Sequence, residues 1–184
     1  IGGANSNNIL SAAQTLTENG IKMTPFLLGP PHQKLGNAKL LSLFFDDSEI
    51  HWISRSEWAN CKNLVNNYRE EREARGIKVF VFPEGGHHQF ALPGSLSLMV
   101  DILRNERESD VFFDHLFIDS GTGMVAQSLL AGAAALEKKS TFHVVILADS
   151  FADFKSGLSR VTHQTEEFLQ TSICSLPDYH LYYP

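Results

Sequence analysis

Apolar and polar positions along the chain switch repeatedly between a helical and a strand period, and the switching lays out helices and strands in turn. Ile9, Ala12, Ala13 and Leu16 recur at helical spacing directly after Asn5, Ser6, Asn7 and Asn8, residue types that cap helix starts. The spacing predicts a helix over 6–19, closed by Gly20. A buried strand over 23–28 and a Gly29-Pro30-Pro31 loop follow. A short helix over 37–45 would turn Leu40, Leu41, Phe44 and Phe45 inward. Then come a strand over 50–53, a charged helix over 57–75 ending at Gly76, and a strand over 79–82. Residues 83–94 are irregular. Beyond them, helices are expected over 95–105, 125–136 and 152–171, strands over 113–118 and 142–147, and loop elsewhere. Such alternation predicts an α/β fold with parallel sheets and helices on both faces. Ligands in these folds sit at the carboxyl ends of strands. Gly2-Gly3, Gly85-Gly86 and the Gly121/Gly123 pair are all expected there, which argues for one shared site.

The run Ser120-Gly121-Thr122-Gly123-Met124 joins an apolar strand to a helix of small residues. Glycines let a backbone approach a ligand closely, and the start of a helix favours an anion. Two readings stay open for this turn alone: a phosphate cradle, or a tight strand–helix turn without a ligand. Thr122 offers a hydroxyl; Met124 and Val125 offer only backbone. The run is not a Walker loop, because no Gly-Lys-Ser/Thr follows, and Ala126 stands where a dinucleotide fingerprint needs its third glycine. Asp149, near the end of the next strand, keeps a nicotinamide-binding reading as a lesser alternative.

Around Asn5 to Asn8, one side chain would cap the helix while another faces a ligand. Ser6 could carry a proton, and Asn7 could donate to an oxyanion. His87 and His88 are neighbours in a loop with no cysteine or carboxylate spaced to complete a metal set, so no metal site is expected. Cys61 reads as a packed helix residue.

Composition narrows the picture further. Hydrophobic content of 43% and charged content of 20% fit a soluble globular protein. A net charge of −6 argues against general nucleic-acid binding. No apolar run reaches the ~20 residues of a membrane span. Two well-separated cysteines, Cys61 and Cys174, suit free thiols in a reducing cytoplasm.

Gly2-Gly3-Ala4-Asn5-Ser6-Asn7, Trp52-Ile53-Ser54-Arg55, Pro83-Glu84-Gly85-Gly86 with Phe90-Ala91-Leu92 and Gly94, and Gly121-Thr122-Gly123 occur in that order. In this, residues 1–148 resemble the D-cysteine desulfhydrase / 1-aminocyclopropane-1-carboxylate (ACC) deaminase family. These are pyridoxal-phosphate enzymes of the tryptophan-synthase-β fold. The resemblance implies two lobes: a small one over 1–87, and part of the larger phosphate-binding one over 88–184, with the cofactor in the cleft between them. Gly121, Thr122 and Gly123 would line the cofactor phosphate with Ser120 and Met124 beside them. Asn7 would hydrogen-bond the phenolate oxygen of the ring. Ser6 would sit over a small amino-acid substrate and assist in binding or proton transfer. The activity implied is sulfide release from D-cysteine, which the Phe90-Ala91-Leu92 version of the loop favours, or ring opening of ACC to a keto acid and ammonia. A homodimer is implied for the full-length protein.

The departures point elsewhere. The family's Schiff-base lysine precedes the first motif by about a strand and a helix, and Lys22, Lys34 and Lys39 do not match it. Asn8 stands where relatives carry His, and Val125 replaces a hydroxyl residue. The chain reads as a piece of a longer protein, expected to be inactive alone. The competing reading is a non-catalytic, phosphate-ligand-binding remnant of the same fold.

Overall fold

The computed structural model describes residues 1–30 and 35–184. Pro31 of the expected loop and Lys34 lie outside the described residues. The chain forms two compact units, Ile1–Glu84 and Gly85–Pro184.

The first unit is built on three parallel strands in the order β1 (Gly2–Gly3), β2 (Phe26–Leu28), β3 (His51–Ile53). Gly2 pairs with Leu27, and Leu27 with Trp52. Gly2-Gly3, expected as a turn, is therefore strand, and the ladder continues as Ala4 N–H donates to the Leu28 carbonyl. Helix α1 (Asn7–Glu18) starts at the cap Ser6, whose hydroxyl accepts from the Ile9 N–H. Its apolar stripe buries Ile9 and Ala13 with Leu27, Leu41, Phe45 and Ile50.

Helix α2 (Asn37–Leu41) is shorter than expected. From Ser42 to Phe44 the amides bond to carbonyls three residues back, which tightens the turn. Leu41 and Phe45 stay inside and Phe44 packs against them, but Leu40 is 45% exposed. Helix α3 (Cys61–Glu73) follows a single tight turn over Trp58–Asn60. Its Cys61 and Val65 pack on Phe26 and Ile53.

Residues 79–82, expected as a strand, pair with no strand among the described residues. Val81 packs inward, whereas Phe80 and Phe82 are exposed. The apolar run thus has Val81 packed inward and no ladder among the described residues, so Gly85-Gly86 does not follow a strand.

The second unit carries the parallel order β4 (His115–Ser120), β5 (Thr141–Ile146), β6 (Tyr179–Tyr182). Phe117 pairs with His143, and His143 with His180. Strand β6 falls where loop was expected. Its four residues alternate strictly, Tyr179 and Leu181 packing inward against the core while His180 and Tyr182 face out. Helices α4 (Leu92–Ser109), α5 (Met124–Ala135) and α6 (Phe151–Leu169) complete the unit. Helix α4 starts before the expected Ser95 because Pro93 sits in its first turn, where a missing N–H costs nothing.

The core joins Met99 of α4, Leu129, Leu130 and Ala133 of α5, Phe154 and Leu158 of α6, and Phe142, Val144 and Ile146 of β5. Because α5 is made of small residues, neighbouring helices come close to it, and almost every position of it is buried. The opposite face of the sheet presents His115, Phe117, His143, His180 and Tyr182 as a ladder of rings; the Phe117 and His143 rings stack at 4.4 Å.

Candidate functional site

Strand β4 holds its register to the last residue, Ser120 pairing with Ile146. The Ser120 carbonyl accepts from the Leu147 N–H at 2.9 Å. The chain then turns through Gly121, Thr122 and Gly123 into α5. Gly123 is the cap residue, at φ 92°, and no side chain among the described residues caps the helix. The N–H groups of Met124, Val125 and Ala126 therefore have no intrahelical acceptor. With the helix dipole behind them, their geometry suits an anion. A Cβ built on Gly121 would meet nothing within 4 Å, so the turn is open there. Thr122 is half-buried and brings its hydroxyl to the same turn. The Met124 side chain packs with Leu92, Leu96, Ala131 and Val161, which leaves its backbone as the part available. These residues fit a phosphate group.

Ser120 is the last residue of β4. Its hydroxyl is 2% exposed, has no hydrogen-bond partner among the described residues, and lies at the base of the turn. It is shielded from solvent.

Three groups support the turn within the second unit. Gly85, at φ +64°, lies against Thr122, where a Cβ would overlap the threonine side chain. Beyond Gly86, the His87 Nε2–H donates to the Thr122 carbonyl. His88 turns elsewhere, and its Nδ1 accepts from the Phe90 N–H at 3.2 Å, capping a short turn. Among the described residues no group of three or more His, Cys, Asp or Glu side chains is placed to hold a metal ion. From the other side, Gln127 of α5 is 1% exposed, and its Nε2 donates to the Phe154 carbonyl at 3.2 Å. A Cβ on Gly123 would press on that amide.

Sequence reasoning missed both His87 and Gln127 as supports. Gln127 had a signal, a lone amide one turn into an apolar helix. The reach of His87 back to Thr122 had none, since their contact spans 35 residues.

In the first unit Ser6, Asn7, Asn5 and Asn37 come together. The Ser6 hydroxyl accepts from the Ile9 N–H at 3.4 Å and keeps its own proton to donate. The Asn37 Nδ2 donates to the Asn7 Oδ1 at 2.7 Å and to the Asn5 carbonyl at 3.0 Å. Asn5 Oδ1 accepts from the Ala38 N–H at 3.2 Å. With its oxygen engaged, the exposed Asn7 amide offers its NH2 group outward. Cys61 is buried, and burial pushes its thiol up, away from a nucleophilic thiolate.

No protein-family model matches the chain. A protein of Thermotoga maritima, provisionally named 1-aminocyclopropane-1-carboxylate deaminase, is 27% identical over 146 residues. The match covers 79% of this chain and 44% of that protein. A solved structure, described as the crystal structure of an ACC deaminase homologue, superposes with a TM-score of 0.81 at 19% identity. It covers 98% of this chain and 53% of the other. The chain spans about half the length of the relatives it matches. Both fall in the family that the sequence motifs resemble. The fold is α/β with parallel sheets, of the tryptophan-synthase-β type.

Proposed function

We propose that this chain is the phosphate-anchoring and small-lobe part of a pyridoxal-phosphate-dependent enzyme acting on a small amino acid. The observation that carries the reading is the uncapped start of α5 behind an open Gly121 and the half-buried Thr122. The cofactor, when bound, supplies the electron sink for bond cleavage next to the amino group.

This chain's residues bind and orient. The N–H groups of Met124 to Ala126 and the Thr122 hydroxyl hold the phosphate. The Asn7 amide, fixed by Asn37, donates to the phenolate oxygen of the ring. Ser6 holds a proton near the substrate with the O–H that its capping role leaves free. The hydrogen-bonded supports on either side of the phosphate turn keep it in one geometry, so little is lost to reordering when the anion binds. Residues 1–87 act as the small lobe and 88–184 as part of the larger one. The free thiols Cys61 and Cys174 fit a reducing cytoplasm.

D-cysteine and ACC are both compatible with these roles. The loop Phe90-Ala91-Leu92 favours D-cysteine, and the names of the relatives favour ACC. The test uses the full-length protein. Added pyridoxal phosphate should give a protein-bound visible band, and turnover should release sulfide from D-cysteine or ammonia from ACC. No band with excess cofactor would end the enzyme reading in favour of a non-catalytic remnant.

A further inference from the structure

We infer that His87 is a positioning residue for the phosphate turn, holding the Thr122–Gly123 peptide so that its N–H faces the anion. This rests on the functional reading above. In a trans peptide the carbonyl and the following N–H point in opposite directions. Whatever holds the Thr122 carbonyl therefore aims the Gly123 N–H. That carbonyl is held by the His87 Nε2–H.

The alternative orientation is costly in a phosphate site. Were the peptide flipped, the Thr122 oxygen would face the anion and the Gly123 N–H would be withdrawn. Gly123, at φ 92°, has the backbone freedom to make such a flip accessible, so the turn's own sequence does not fix it. A support from outside the turn is needed, and the chain supplies one. Gly85 and Gly86, at φ +64° and +71°, fold the chain back on itself so that the following histidine lands on the turn. The close seat of Gly85 on Thr122 keeps it there.

Histidine suits this position. Its ring donates from Nε2 whether neutral in that tautomer or protonated, and it never carries a negative charge that would repel a phosphate. His88 cannot substitute, because its ring is turned to the Phe90 N–H.

The test compares His87→Ala and His87→Gln in the full-length protein, titrated with pyridoxal phosphate and with pyridoxal, which lacks the phosphate. Thermal melts check that each variant is folded. His87→Ala should bind pyridoxal phosphate about 10-fold more weakly, the effect of one lost hydrogen bond to a site that must stay ordered, with pyridoxal affinity unchanged. His87→Gln keeps a side-chain donor and should recover most of that loss. Inorganic phosphate gives a second readout. In the wild type it should shift the Gly123 amide proton resonance downfield, and in His87→Ala that shift should shrink.

Unchanged affinity for pyridoxal phosphate in folded His87→Ala overturns the inference alone. Equal loss for both ligands also overturns it, because the effect would not act through the phosphate. If His87→Ala does not fold, His87→Gln decides: wild-type preference for pyridoxal phosphate over pyridoxal upholds the inference, and loss of that preference overturns it. A wild-type protein that shows no phosphate-dependent affinity overturns the functional reading, and the inference with it.

Discussion

Gly85 is seated directly against the side chain of Thr122, with no room for a Cβ between them. The contact ties together two stretches far apart in the chain, because only a residue without a side chain lets the first reach the second. Gly85→Ala has two costs. A left-handed φ of +64° costs a non-glycine residue about 1 kcal/mol, and the methyl group must displace Thr122. The expected result is a stability loss of roughly 2–4 kcal/mol, with weaker binding of pyridoxal phosphate as the Thr122 hydroxyl moves. Urea unfolding and a cofactor titration check the two effects separately. A stability within experimental error of the wild type would show that the seat is not tight.

Ser120→Ala separates two roles for a residue that the sequence places in the phosphate site. The hydroxyl has neither solvent nor a hydrogen-bond partner among the described residues. A buried hydroxyl left unpaired costs about 1–3 kcal/mol, so its removal should leave the protein as stable or up to about 1 kcal/mol more stable. Affinity for pyridoxal phosphate should change by less than about threefold, because the oxygen lies beneath the turn. A tenfold loss of affinity with unchanged stability would place Ser120 in direct contact with the phosphate instead.

Residues Gly121 to Met124 were legible as a glycine turn into a helix start because their chemistry is local. Glycines, a hydroxyl and the start of an apolar helix are adjacent in the sequence, and their physics needs no partner from elsewhere. The helices were legible for the same reason: Ile9 with Ala13, and Leu129 with Ala133, repeat at helical spacing. What could not be read depends on distant pairing. Residues 79–82 have a strand's composition but find no ladder among the described residues. Tyr179–Tyr182 becomes a strand because β5 lies beside it. The burial of Ser120 and the reach of His87 to Thr122 are likewise set by packing. No sequence period records them.

Glu106 and Lys138 make a second, non-catalytic test of how the larger unit is held. The Lys138 Nζ donates to Glu106 Oε1 at 2.6 Å, the Phe113 N–H donates to the same oxygen at 2.7 Å, and Glu106 is 2% exposed. Burial pushes its carboxyl up, but the Lys138 bond, the Phe113 N–H and the lysine charge together outweigh burial and hold it below the usual value. The folded state therefore binds this proton less readily than the unfolded chain. The resulting stability is present above the ordinary glutamate range, about pH 4.3, and is lost as pH falls through it toward the lower folded value. Lys138→Met should cost about 3 kcal/mol at pH 7 by leaving the carboxylate unpaired. The cost should shrink as pH falls below the ordinary glutamate range, because without the lysine burial favours the protonated carboxyl in the variant. Denaturant unfolding at pH 7 and below that range measures this, and a penalty independent of pH would mean that the pair is not the source.

Asn37→Ala tests how Asn7 is aimed. The Asn37 amide donates to both the Asn7 side chain and the Asn5 backbone, which pins the first turn of α1 to the start of α2. It also fixes which end of the Asn7 amide faces outward: with Oδ1 taken, the NH2 group is the one left to donate. Without Asn37, the Asn7 amide can turn its oxygen outward, toward a phenolate that would repel it. The variant should bind pyridoxal phosphate about 3- to 10-fold more weakly, the range expected for one misdirected hydrogen bond to a charged oxygen. The visible band of the bound cofactor should shift as the charge on the ring oxygen is less well held. Asn7→Ala should shift it the same way, and the double variant should add little more, because both changes act on one bond. Additive effects of the two substitutions would show that Asn37 does not act through Asn7.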